Sequence, residues 1–280
     1  MQRDTRPTEL GDYLKHRRAR LDPDALGFHT GRRRTPGLRR EEVAHLACIS
    51  ATWYTWLEQG RGSTPSAEVL ERLCHALQLS PPEREHVFHL ALGRAPEVRY
   101  TPSLAVTARL QKVLDCMTLS PAMIRTATWC VLAWNQPAAV VLTDYAKLPH
   151  TERNILRRIF LDPQVREVQA DWEGLAQSLV AAFRADATRS GATAEVKPLI
   201  DELMAASPLF AELWRSNTID TMGEGTKVLI HREAGRLSLE YSSFAVEGQP
   251  DLTMIVYNPS TPEDAQKISA LLSAAGRAPD

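Results

Sequence analysis

The 280-residue chain has only four cysteines, Cys48, Cys74, Cys116 and Cys130, and they form no C-x-x-C pair. That spacing argues against a zinc site and against a disulfide framework. No run of about 18 apolar residues occurs, so no membrane-spanning helix is expected. The opening MQRDTRPTEL lacks an apolar core of the secretory type, and a reducing cytoplasm is the expected setting. Internal repeats and low-complexity tracts are missing as well. So are the nucleophile elbow G-x-S-x-G, the phosphate-binding loop and the dinucleotide fingerprint. His86 and His89 lie three apart, but no cysteine or further histidine completes a metal set. An enzyme, a required cofactor and a bound metal are therefore not expected.

Net charge is also scarce, at -1, but that figure averages two unlike halves. Residues 1–100 carry 16 Lys/Arg against 13 Asp/Glu, and within 15–61 the balance is 10 against 5. A local basic zone on a near-neutral protein fits phosphate binding, although an ordinary solvated face is the commoner origin of such a charge run. Apolar residues reach 44%, enough for two domains with cores of their own.

The first ninety residues read as five short helices. Leu10, Tyr13, Leu14 and Leu21 share a face over 8–21, and a Pro-, Gly- and Arg-rich loop follows, closed by Pro36-Gly37. Helical spacing resumes over 39–47, over 51–60 after the N-cap Ser50, and over 66–77. Ser80-Pro81-Pro82-Glu83 combines an N-cap, a first-turn proline and a capping-box glutamate. Within this set, residues 40–61 form a helix, a short turn and a second helix, with Ala44 small where the helices meet. This is the helix-turn-helix pattern, which presents the start of its second helix to the major groove. Its outward residues are Ala51, Thr52, Thr55 and Trp56, and the threonines can read base edges or thymine methyls. Arg40 and Arg61 flank them, placed for phosphate. Trp56 either packs on thymine methyls or covers the domain surface. Cys48, inside the turn, reads as a small buried hydrophobe.

Residues 93–102 mark a boundary, giving domains over 1–95 and 103–275. The second begins with a helix over about 103–118 and a strand over 128–134. Helices are expected at 151–161, 171–184 and 194–206, with a short one from Ser207-Pro208. From 226 the period becomes two, giving three strands, KVLIHRE, GRLSLEYSSFAVE and DLTMIVYN, and a last helix opens at Thr261. The expected fold is an all-α domain followed by an α+β domain. Its large apolar residues, Trp129, Trp134, Phe160, Trp172, Phe183, Phe210 and Trp214, serve either as core or as walls of a small-molecule pocket.

The block RRRTPGLRREEVAHLACISATWYTWLEQGR resembles the helix-turn-helix of the XRE, lambda-repressor-like class, and more narrowly the MmyB-like regulators. Cys48 stands where those carry a turn glycine, and Trp56 where they usually carry arginine. Beyond residue 105, VLAWNQPA, TERNILRRIFLDPQVREVQADWE, SPLFAELW and HREAGRLSLEY are similar to the same family's C-terminal domain. Cys130 replaces a common Asp there, and Arg232 a common Pro. The resemblance implies a lambda-repressor-like domain, then a PAS-like domain with a pocket for a fatty-acid-like effector. For such a ligand, Trp129, Trp134, Phe160, Trp172, Phe183 and Trp214 are candidate walls, and Arg157, Arg158 and His231 candidate anchors. It also implies an Arg-rich loop, Arg32, Arg33 and Arg34 with Arg39 and Arg40, lying along the DNA backbone. The functional expectation is a sequence-specific regulator of double-stranded DNA, acting as a homodimer on paired half-sites. Ligand binding would shift DNA affinity by linkage. The other reading is a helix-turn-helix module that binds protein and has no operator.

Overall fold

The computed structural model describes residues 6–28, 36–61, 63–96 and 100–276. The chain separates into two compact units, Met1–Glu97 and Val98–Asp280.

The first unit is built from α1 (Arg6–Arg20), α2 (Arg40–Leu46), α3 (Ala51–Glu58), α4 (Ala67–Ala76) and α5 (Pro81–Leu92). Local chemistry sets their starts. Ser50 accepts a hydrogen bond from Trp53 N at 3.0 Å, and Glu83 reaches back to Ser80 N at 2.8 Å, so orphan amides of both first turns are satisfied. Apolar faces then converge on one core of Leu10, Leu14, Leu38, Tyr54, Leu73 and Phe88. The approach of α1 to α3 depends on Gly11. A Cβ there would stand 2.9 Å from Leu57 O and closer still to the carbonyl of Glu58. Backbone cannot yield to a methyl group, so Gly11→Ala is expected to cost this unit about 1–3 kcal/mol through forced separation of the helices. Chemical denaturation of the variant checks this, and an unchanged midpoint would mean that the two helices slide apart freely.

The second unit is a five-stranded antiparallel sheet with helices around it. Its strands are β1 (Ala122–Thr126), β2 (Val131–Trp134), β3 (Glu224–His231), β4 (Gly235–Ala245) and β5 (Leu252–Pro259), in the order β2-β1-β5-β4-β3. One half of one face is covered by α6 (Ala108–Asp115), whose Leu114 is buried with Ile124, Ala133 and Leu252. Around the other face lie α7 (Gln136–Val141), α8 (Ile155–Leu161), α9 (Pro163–Glu167), α10 (Trp172–Arg189), α11 (Lys197–Ala206), α12 (Pro208–Arg215) and α13 (Pro262–Ala275). Both outer strands carry a short partner that is not a strand. Beside β2, Val131 N bonds Arg153 O and Ile155 N bonds Trp129 O, at 2.9 and 3.0 Å. Beside β3, Ile230 N bonds Val168 O at 2.8 Å and Ala170 N bonds Val228 O at 3.4 Å.

Three expectations need correction. The helix placed over 103–118 is confined to α6, because Thr107 caps it by accepting from Leu110 N. The strand placed over 128–134 begins only at Val131, since Trp129 turns the chain with φ 64°. Strand β1 is absent from the sequence reading: it is buried throughout and carries Arg125 as its fourth residue, which masks its apolar character.

Candidate nucleic-acid interface and ligand cavity

In the first unit, α2 and α3 are joined by a tight turn. Cys48 adopts φ 52°, the left-handed conformation that glycine takes more readily. Its side chain is exposed, not buried, because that backbone geometry directs it outward. Ile49 N then bonds Ala44 O at 2.9 Å, closing the turn on the buried Ala44. One face of α3 buries Tyr54, Leu57 and Glu58. The opposite face, with the start of α2, walls a groove of about 320 Å³ formed by Arg40, Glu41, Ala51, Thr52, Thr55 and Trp56. Trp56 is 49% exposed, so it borders the groove rather than joining the core. Thr52 is exposed, whereas the Thr55 hydroxyl donates to Ala51 O at 2.8 Å and offers outward only lone pairs and a methyl group.

Beneath this surface lies a charged hub. Glu58 accepts from Arg18 Nε at 2.6 Å and from Arg40 Nε at 2.6 Å. Arg18 also donates to Leu38 O at 2.6 Å, tying α1, α2 and α3 together. Burial alone would raise the Glu58 carboxyl. The hydrogen bonds from both arginines and the charge of Arg18 outweigh it and hold the group below the usual carboxylate range. Arg40 is thereby fixed by its Nε while its terminal nitrogens have no partner among the described residues, which suits them to an incoming phosphate.

In the second unit, a cavity of about 540 Å³ opens between β3, β4, α8, α10 and the 169–171 segment. Its size falls in the range of about 300–1,000 Å³ usual for small-molecule sites. Ile155, Ile159, Leu175, Leu179 and Met222 give it apolar walls, while Lys227, Gln169, Asp171, Arg236, Tyr241 and Tyr257 supply the polar groups.

These two sites can be set against known proteins. A model described as the MmyB-like transcription regulator ligand binding domain matches residues 106–271. The chain belongs to this family. A helix-turn-helix domain model matches residues 9–87, covering the hub and the groove. Among curated proteins no match is found. The MmyB-like chain is thus a DNA-binding transcription regulator with a ligand-binding domain, and both families are those of regulators rather than enzymes.

The MmyB-like regulator places its sequence-selected residues unevenly. Arg40, Ala51, Thr52, Thr55 and Trp56 meet in the one groove. Arg39 is exposed at the N-cap of α2 and Arg61 is exposed just beyond α3. Arg32, Arg33 and Arg34 lie outside the described residues. Glu41 and Glu58 went unselected, although their E-E and L-E-Q-G-R settings put both beside the basic residues.

None of the nine residues selected for the ligand lines the large cavity. Trp129 and Phe183 are fully buried and meet edge to face at 5.7 Å. Phe160 packs edge-on to Trp172 and Phe210 at 6.0 and 5.1 Å, and Trp214 stacks on Phe210. Trp134 leans on Tyr145 at 5.4 Å. These rings fill cores between helices, or between helix and sheet. The three anchors are occupied too. Arg157 is bound to Glu202 and to Thr151 O, and Arg158 to Asp162. The Nδ1 of His231 accepts from Glu233 N and Ala234 N at 3.2 and 3.3 Å, which leaves the proton on Nε2, facing Val140 O. Lys227, unselected, is the cavity's inward cation.

Proposed function

We propose that this MmyB-like regulator docks the α2–α3 groove into the major groove of duplex DNA. The observation that carries the reading is the meeting of Arg40, Ala51, Thr52, Thr55 and Trp56 on one exposed surface above a buried hub. Arg40 serves phosphate, with Arg39 and Arg61 beside it and the Arg32–Arg34 run along the backbone. Thr52 and Thr55 read base edges, and Trp56 covers apolar base surface such as thymine methyls. The protein acts as a homodimer on paired half-sites. A fatty-acid-like effector in the 540 Å³ cavity, not among the buried aromatics, shifts DNA affinity by its preference between two arrangements of the dimer.

Fluorescence anisotropy against promoter and random duplexes over a salt series tests the DNA reading. Arg40→Ala is expected to weaken all duplexes alike and to lower the salt slope by about 1. Thr52→Ala is expected to lose about 1–3 kcal/mol at one base position and to leave random-duplex affinity intact. Equal losses on every sequence would remove Thr52 from base reading. Absence of salt-dependent binding to any duplex, with and without effector, would favour a protein-interaction module instead.

A further inference from the structure

The α2–α3 groove contains a carboxylate that contacts to phosphate and thymine leave unused. Glu41 is exposed in its wall, together with Arg40, Thr52, Thr55 and Trp56. The neighbouring carboxylates are engaged. Glu58 is held by Arg18 and Arg40, at 2.6 Å each. Glu42 is buried and closes the capping box of α2, its Oε2 accepting from Arg39 N at 2.7 Å. The carboxylate of Glu41 has no hydrogen-bond or ion-pair partner among the described residues. Nor does Thr55 donate to it, because its hydroxyl proton goes to Ala51 O at 2.8 Å.

An ionised carboxylate offers acceptors only. Facing phosphate, or a base edge that also accepts, it repels, and such repulsion suppresses wrong partners at an interface. In the major groove the donors are the exocyclic amino groups of cytosine and adenine. On adenine the N6 amino group lies beside the N7 acceptor, whereas cytosine presents its N4 amino group with no acceptor of its own. A lone carboxylate therefore matches cytosine best.

We infer that Glu41 is a specificity-determining residue of the DNA-binding unit, its carboxylate accepting from the N4 amino group of one cytosine in the bound site. The inference rests on docking of the α2–α3 groove in the major groove, and it adds a selected base to that reading. Adjacent residues then act in opposite senses. Arg40 attracts every duplex through phosphate, whereas Glu41 subtracts from that attraction on every duplex except one that places an amino group against it. Random sequence is thereby held more weakly, which widens the ratio of specific to non-specific binding.

Selection of the full chain on a pool of randomised duplexes, followed by fluorescence anisotropy on the selected duplex and the unselected pool, tests this. The wild-type consensus is expected to fix a cytosine at one position that Glu41→Ala relaxes, with the other positions unchanged. Glu41→Ala should bind the unselected pool more tightly, and its selected-to-random ratio should fall by about tenfold or more. The Glu41 side chain is exposed and unpartnered among the described residues, so the substitution removes no contact of the fold. A selected duplex whose cytosine lacks the amino group should cost the wild type about tenfold more affinity than it costs Glu41→Ala. A consensus shared by the wild type and the variant, or one affinity change common to selected and random duplexes, overturns base reading by Glu41 and leaves the docking intact. Failure of the wild type to bind any duplex overturns the docking itself.

Discussion

Asp186→Ala is expected to destabilise the ligand-binding domain by about 3–5 kcal/mol, the usual effect of stranding a buried charge. Among the described residues Asp186 is the one carboxylate paired with Arg125, whose side chain is 3% exposed near the end of β1. The Arg125 Nη2 reaches Asp186 Oδ2 at 2.7 Å, and the same oxygen accepts from Trp129 Nε1 at 2.9 Å. Arg125 also lies over the Trp129 ring, 4.4 Å from its centroid. Burial pulls the guanidinium below its ordinary value more strongly than Asp186 raises it. A guanidinium nonetheless keeps its proton, so removing the carboxylate leaves a full charge in the core. For a domain of this size the melting transition should drop by on the order of 10 °C. Asp186→Asn, which keeps an acceptor for Trp129, should fall between the variant and the wild type. A shift below about 1 kcal/mol would mean that water or another group solvates Arg125 when Asp186 is gone.

Glu58→Ala is the counterpart in the DNA-binding unit, with an expected loss of the same order, about 3–5 kcal/mol. Here two arginines lose one carboxylate. The buried Arg18 is left with Leu38 O, and Arg40 loses the contact that fixes its Nε. DNA affinity should fall even at temperatures where the variant is folded, because a free Arg40 must be ordered on each binding event. The pH dependence has a definite sign. The folded-state carboxyl lies below its unfolded value, so its stabilisation is complete above the ordinary carboxylate range and is lost as pH falls through that range. Urea denaturation at neutral and acid pH should show the wild type losing stability on acidification more steeply than Glu58→Gln. Parallel pH profiles would remove Glu58 from that role.

The helices of the first unit were legible because their ends are written in short-range chemistry. Ser50, Ser66 and Ser80 each begin a helix, and the spacing of Leu70, Leu73 and Leu77 reports a buried face. The groove was legible for the same reason, since outward positions on a short helix follow from its inward ones. The ligand cavity was not. Large aromatics attract attention in a sequence, but Trp129, Phe183 and Phe210 are the residues most easily used to fill a core, and the structure uses them so. Lys227 was hidden by register. In K-V-L-I-H the branched Val228 and Ile230 suggest the inward face, yet Leu229 is buried and Ile230 is 43% exposed. Lys227 shares the face of Leu229 and therefore points inward. Only the pairing of Lys227 with Leu239 and of Leu229 with Leu237 across β4 fixes that choice, and such long-range register lies beyond local pattern.

The short segments along β2 and β3 carry a consequence for assembly. An uncovered outer strand is a template on which another chain can add, the common route to unintended polymerisation. Here Arg153–Ile155 and Val168–Ala170 already occupy backbone groups along both borders. Neither segment continues the ladder, so each ends it. Along these stretches a second copy has no free hydrogen-bonding rim to extend. Strand addition is thereby disfavoured along these stretches, and a second copy that approaches them must rely on side chains.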